Sequence, residues 1–328
     1  MAKRSTARKM QPAPMTFTLA TSPVTSGTVG DFTIDLSQIA SLVNRRFYRQ
    51  GLNWAVAGIK VFSSVTGQLR VNKIPNTWVT SNAWEKTFRA WNEQQMKAIE
   101  DAGAESAVAR FRDYKVFMDP IHVTAGTAAN LLPLDSLGNT AIAGEWEYSQ
   151  VILPNANLDP ASGARTEPKE VNLHMTGANE VVAGAVVSRG ILEGYADSRA
   201  YPQSPDPVSP QIDSGNNWLR AMFDVGNDNE DITENATDKN DNLPYDQVNY
   251  PGGQTNMPGL QVHDTVQLVS YSPGVGNIGT KHIKGGNFPC GLVRVQWAPS
   301  DTTGNVVLEI NMVPGGHRGY LAESMGDM

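Results

Sequence analysis

Residues Leu52–Gln95 read LNWAVAGIKVFSSVTGQLRVNKIPNTWVTSNAWEKTFRAWNEQQ. Trp54, Val56, Ile59, Val61 and Val65 form a β-rich run, and Thr66-Gly67 supplies a turn signal. Leu69, Val71 and Ile74 then resume a period-two pattern that Pro75 ends, so the first half predicts a long hairpin. The second half predicts a helix. Ser81 or Asn82 is placed to cap it, Glu85 lies near the capping-box position, and Trp84, Phe88 and Trp91 recur at i, i+4 and i+7 on one face. A β ribbon followed by a sharply bounded aromatic helix, with no catalytic motif in either, points to architecture.

On the N-terminal side, Thr16–Leu19 and Val29–Leu36 read as strands. Leu36–Tyr48 sets Leu36, Ile39, Ala40, Val43 and Phe47 at helical spacing, with a stop at Gly51. Toward the C-terminus, Tyr114–Met118, Trp146–Leu153, Val171–Met175, Thr265–Tyr271, Leu292–Trp297 and Val306–Val313 read as strands between Gly, Pro and Asn clusters; Val181–Arg199 fits strand or short helix. Residues 1–14 are basic, proline-containing and apolar-poor, which predicts a mobile arm. The chain then divides into core from 15 to 200, a loop excursion from 201 to 260, closing strands from 261 to 313 and a polar tail from 314 to 328. The excursion carries Pro202, Pro205, Pro207 and Pro210. Short strands at this density, drawn from both ends of the chain, fit an all-β jelly roll: an eight-stranded sandwich with helical insertions and long surface loops. A double roll needs about sixteen strands, more than the pattern supplies.

A chain of 328 residues, 40% of them hydrophobic, can bury a full core. It contains no apolar run of the roughly 18 residues a membrane helix needs, and MAKRSTARKM lacks the apolar stretch of a secretory signal, so synthesis inside a cell and no membrane partner are expected. Cys290 is the single cysteine, which leaves no intrachain disulfide and no cysteine zinc cluster and suits a packed thiol. Charge is segregated. Eight acids and one base between Asp224 and Asp246 account for the whole net charge of −7, whereas the first thirty residues hold Lys3, Arg4, Arg8 and Lys9 and no acid at all. A cationic end and a separate anionic loop suit a two-sided shell.

The wording of Thr28–Glu100, with its β ribbon and its Trp84, Phe88 and Trp91 helix, resembles capsid proteins of small circular single-stranded DNA viruses of the marine, Rep-encoding kind. That resemblance implies a jelly-roll coat subunit, a homo-oligomeric icosahedral shell around single-stranded DNA, assembly inside a host cell and residence in the virion. No reaction is implied. Lys3, Arg4, Arg8 and Lys9 would face the genome, and the arm is shorter than the arginine-rich arms of many such proteins. Four arm charges per subunit are few against a genome's phosphates, so Arg45, Arg46, Arg49 or bound cations must contribute. The plainer role for those three arginines is to complement the dipole at the end of the preceding helix and solvate one face.

Other signatures are weak. Gly274, Gly276 and Gly279 match G-x-G-x-x-G, but the following TKHIKGGNFPCG does not open the helix a dinucleotide site requires, so a flexible surface loop is expected. Asp238, Asn240 and Asn242 alternate like a calcium loop, yet Leu243 stands where an EF-hand needs glycine and Asn249 replaces the closing carboxylate. A looser calcium site using Asp228, Asp238 and Asp241 would relieve repulsion among the acids. Asn235-Ala236-Thr237 is a glycosylation sequon whose use needs a secretory route. The five histidines lack metal-ligand spacing, and His263-Asp264 would point to opposite faces of a strand unless it bulged. With no nucleophile elbow and no basic neighbour for Cys290, catalytic residues are not expected. Trp84, Phe88 and Trp91 could stack bases, but one-face spacing beside the Glu85–Arg89 and Glu93–Lys97 pairs favours core packing. The competing function is a calcium-assisted carbohydrate- or ligand-binding β-sandwich; it accounts for the strands but not for the basic, acid-free N-terminus.

Overall fold

A computed structural model describes residues 12–103, 113–153, 169–182, 185–199, 231, 259–270 and 278–328. Two antiparallel sheets carry the fold. In one, β1 (Thr16–Ala20), β12 (Val307–Met312), β3 (Leu52–Ser63) and β10 (Gly279–Phe288) lie side by side in that order; in the other the order is β2 (Gly30–Asp35), β11 (Leu292–Pro299), β4 (Gly67–Lys73) and β9 (Gln261–Leu268). Period-two alternation aims one side of each sheet at a shared core. Phe17, Ile59, Leu308 and Ile283 come from the first sheet and Ile34, Leu69, Val295 and Trp297 from the second. Full burial of side chains this size stabilises by about 1.5–3 kcal/mol each.

The ribbon at 52–74 is not a hairpin. β3 pairs with β12 and β10, and β4 with β11 and β9, so the Ser64–Thr66 turn carries the chain from one sheet to the other. Alternating hydrophobicity shows which face of a strand is buried and says nothing of its partner. β3 also changes parity: Asn311 faces Gly58 while Met312 faces Val56, and the extra residue, Ala57, lets Val56 and Ile59 both enter the core. Of the glycine motif expected as a flexible loop, Gly274 and Gly276 lie outside the described residues, while Gly279 opens β10, a strand absent from the sequence reading that pairs with β3 as far as Phe288. Its glycines permit close approach. A Cβ on Gly285 would meet the carbonyl oxygens of Ala57 and Val56 at 2.4 and 2.5 Å, and one on Gly286 would meet the His263 ring at 2.6 Å.

Between β4 and β9 the chain leaves the sandwich. There α2 (Trp78–Asp101), α3 (Pro120–Ala125), β5 (Gln150–Leu153), β6 (Lys169–His174), β7 (Glu180–Val182), β8 (Ala185–Gly190) and α4 (Ile191–Arg199) build an insertion. Its sheet runs β5-β6-β8-β7 with β6 and β8 parallel. Of the strands read at Trp146–Leu153 and Val171–Met175, Gln150–Leu153 and residues 171–174 belong to this sheet while residues 146–149 are not strand; Tyr114–Met118 makes only a bridge from Phe117 to His174, and Val181–Arg199 holds both strand and helix. α2 starts four residues earlier than a cap at Ser81 implies and five earlier than one at Asn82, because extended Thr77 caps it through Thr80 N–H; Ser81 instead donates to Met325 O at 2.6 Å. α1 (Leu36–Asn44) ends before Tyr48 because Arg45 turns left-handed at φ 51°. Phe47 is thereby released from the helical face and lies half-exposed.

Residues 314–328 are part of the fold and not a loose tail. β13 (Pro314–Gly315) pairs with β14 (Gly319–Tyr320), and β15 (Ala322–Ser324) adds to the edge of β3 opposite Trp54. Tyr320 and Met325 are fully buried, two apolar anchors too widely spaced to register as a pattern among polar neighbours.

A buried polar network binds the insertion to the sandwich. Asp35 caps α1 by accepting Ser37 and Gln38 N–H at 2.9 and 3.3 Å, while its other oxygen accepts Gln50 Nε2 at 2.9 Å and Tyr148 Oη at 3.1 Å. Gln50 Oε1 accepts Val116 N–H at 2.6 Å; Asn130 Nδ2 donates to Gln38 Oε1 and Tyr148 Oη. His122 Nδ1 accepts Met118 N–H, so its proton sits on Nε2 and is donated to Asn130 Oδ1 at 2.8 Å. Asp119 caps α3 and accepts Arg294 Nη2 from β11.

Burial, opposed by its hydrogen bonds, raises the Asp35 carboxyl to about 6, and burial with help from Arg294 lowers His122 to about 3. Between pH 4 and 6 folded Asp35 holds a proton that the unfolded chain releases, so its contribution to stability falls as pH rises; folded His122 refuses a proton that the unfolded chain takes up below about 6.5, so its contribution falls as pH drops. The two oppose. Asp35→Asn leaves the His122 term alone, and its stability should drop more steeply than wild type on acidification through this window, by up to about 1.4 kcal/mol per pH unit. Urea midpoints at pH 7, 6, 5 and 4 measure it; parallel pH profiles would show that Asp35 titrates normally.

Candidate nucleic-acid interface

The left-handed turn at Arg45 ends α1 and starts a basic corner. Arg45, Arg46 and Arg49 are exposed there, and none lies within the last turn of the helix, so the dipole role assigned to them is at most Arg45's, at the cap. The structure adds Arg318, which sits at φ 49° between β13 and β14, donates to Phe47 O at 2.5 Å and lies 5.8 Å from the Tyr48 ring. Arg46 also reaches Tyr48 by a side-chain hydrogen bond. No sequence signal marks Arg318, a lone base in a polar stretch; only the hairpin and its contact with Phe47 O bring it here.

Beside these arginines is a cavity of about 510 Å³ whose lining includes Phe47, Arg49, Gly51, Trp84, Phe88, Tyr114, His317 and Arg318. The α2 aromatics form one wall. Trp84 and Phe88 stack with centroids 5.2 Å apart, and Tyr114 packs edge-on to Trp84 at 5.7 Å and against Trp91 at 5.3 Å. Trp84 and Trp91 are buried as core packing requires, and Phe88 is half-buried, so core and surface readings both hold for one helix face. Gly51 fits this wall in two ways: its φ is +86°, and a Cβ would meet Trp84 at 2.3 Å.

Trp84 Nε1 and Tyr114 Oη are buried and lack a hydrogen-bond partner among the described residues. Burial holds the Tyr114 phenol well above its ordinary range and, with Arg318 beside it, holds His317 below the usual imidazole range; both are neutral at pH 7. Among the described residues, the charged groups lining the cavity are Arg49 and Arg318, with no carboxylate. Nearby, Lys115 is paired with Asp113 and stands 4.7 Å from the Trp146 ring, on which Phe47 packs at 6.3 Å. Aromatic faces beside guanidinium groups can hold a planar π system together with an anion.

The other sequence candidates are elsewhere. Lys3, Arg4, Arg8 and Lys9, and the calcium candidates Asp228, Asp238 and Asp241, lie outside the described residues. Among the described residues no group of three or more His, Cys, Asp or Glu is arranged to hold a metal. Gly279 opens β10, so a strand stands where a dinucleotide site needs a helix. β9 does bulge at His263, but the ring bonds Lys284 O at 2.9 Å and Asp264 bonds Thr265 N–H, so the two are not partners. Cys290 is fully buried, with burial raising its thiol well above the ordinary range.

Family models, curated proteins and solved structures yield no match to this chain. The functional argument therefore rests on the fold and on the geometry of the basic corner. Replacing Arg45, Arg46 and Arg49 together by Ala should reduce the salt slope of single-stranded DNA binding by about 2, since each phosphate contact contributes about 0.7. Binding measured across a salt series tests this; an unchanged slope would place all three off the phosphates.

Proposed function

We propose that this chain is a jelly-roll coat subunit that assembles with copies of itself into a closed shell around single-stranded DNA. The observation that carries the reading is strand order. Counting only the eight sandwich strands along the chain, one sheet runs first-eighth-third-sixth and the other second-seventh-fourth-fifth, the interleaving produced when a long antiparallel ribbon of paired strands rolls up on itself. Each sheet thus holds strands from both ends of the sequence, and the long β4–β9 connection is free to carry an insertion.

Such a sandwich presents loops and insertions around its rim, where copies of a shell subunit meet. The basic corner of Arg45, Arg46, Arg49 and Arg318 supports contact with a polyanion, and Lys3, Arg4, Arg8 and Lys9 would add to it. The acidic Asp224–Asp246 stretch lies outside the described residues apart from Asp231; in this reading it faces away from the enclosed phosphates, which its carboxylates would repel. No catalytic step belongs to this reading.

Electron microscopy of the purified protein tests it. Closed uniform shells are expected, and a variant lacking residues 1–14 should melt like the full chain but retain less nuclease-protected DNA. Discrete monomers or dimers at all concentrations would favour the ligand-binding sandwich, and unchanged DNA content in the shortened variant would remove the arm from packaging.

A further inference from the structure

The cavity at the end of α1 combines features that neither shell geometry nor core packing requires. We propose that it seats one unstacked nucleotide of a single strand, with the base against the aromatic wall of Phe47, Trp84 and Phe88 and a phosphate on Arg49 and Arg318. This rests on the nucleic-acid reading above and sharpens it, from a basic surface that attracts phosphates to a site that takes a base.

Four observations lead there. The cavity's 510 Å³ falls within the range of about 300–1,000 Å³ for small-molecule sites, larger than a phosphate alone would need. Its wall presents stacked rings, a surface any base can use without regard to sequence. Among the described residues its charged lining is two arginines without a carboxylate, and Arg318 spends one donor on Phe47 O, which fixes the guanidinium at the rim while other donors remain. Trp84 and Tyr114 carry buried polar atoms unpartnered among the described residues, whereas the edge of a base is rich in acceptors and donors. A base inside a duplex cannot enter such a recess without being unpaired, so the occupant is a single strand.

The test is binding of the full-length protein to a fluorescent oligothymidylate of about eight nucleotides, within the usual footprint of single-strand sites. Competitors are an abasic strand of equal length, the same sequence as a duplex, and inorganic phosphate. Arg49→Ala and Phe47→Ala, both at exposed positions, are compared with Arg70→Ala, which removes an equal charge from the exposed face of β4. Circular-dichroism melting checks that each variant folds. Loss of the charged contact or of the stacking ring should each weaken binding about tenfold, against about twofold for Arg70→Ala. The abasic strand, the duplex and phosphate should compete poorly. Equal losses for Arg49→Ala and Arg70→Ala would reduce the site to diffuse electrostatics and overturn the proposal, as would an abasic strand binding as tightly as oligothymidylate or phosphate displacing it at equal concentration. Shells that form and enclose DNA while the abasic strand binds equally well would sink this site and leave the coat reading standing; base-selective binding without shells would do the reverse.

Discussion

One buried carboxylate joins the two halves of this molecule. Asp35 ends β2, caps α1 and receives Gln50 from the approach to β3 and Tyr148 from the insertion, so four segments converge on two oxygens. A charge taken out of water is costly unless its lone pairs are filled, and here every one of these partners must be in place for that cost to be met. The same requirement passes outward. Gln50 fixes the backbone at Val116, Asn130 links Tyr148 to His122, and Asp119 is drawn to Arg294 on the outer face of β11. Apolar contact between Ile74, Leu292 and the insertion core surrounds the network, but contact alone does not specify register; the hydrogen bonds do.

That fixed geometry creates the basic corner. Because Gln50 is held at the network and Arg45 turns the chain, the short segment between them projects Phe47 and Arg49 toward the aromatic wall of α2, while the β13–β14 hairpin brings Arg318 to the other side. Three pieces remote in sequence thus meet: a helix end, the first helix of the insertion and the C-terminal hairpin.

The sequence disclosed the sandwich strands wherever a run alternated cleanly, as in Thr16–Leu19, Leu292–Trp297 and Val306–Val313. It also disclosed the buried aromatic face of α2 and the inert Cys290, since burial follows from spacing and local polarity. Pairing was hidden. Nothing in 52–74 distinguishes a hairpin from a crossing between sheets, and β10 was masked because glycines needed for close strand packing resemble glycines of a loop. The network was illegible for a related reason: Asp35, Gln50, His122, Asn130 and Tyr148 are ordinary polar residues until tertiary contacts bury them together. Of the basic corner, Arg45, Arg46 and Arg49 were visible as a cluster, whereas Arg318 and the cavity exist only through long-range packing.

Native-state hydrogen exchange most directly tests whether sandwich and insertion are one cooperative body held at Asp35. Ser37 and Gln38 N–H report the sandwich side of the carboxylate, and Val116 N–H, bonded to Gln50, reports the insertion side. The account predicts that all three open with a common free energy and share the same denaturant dependence. Val116 exchanging through a separate, lower-energy opening while Ser37 and Gln38 stay protected to the global limit would contradict it.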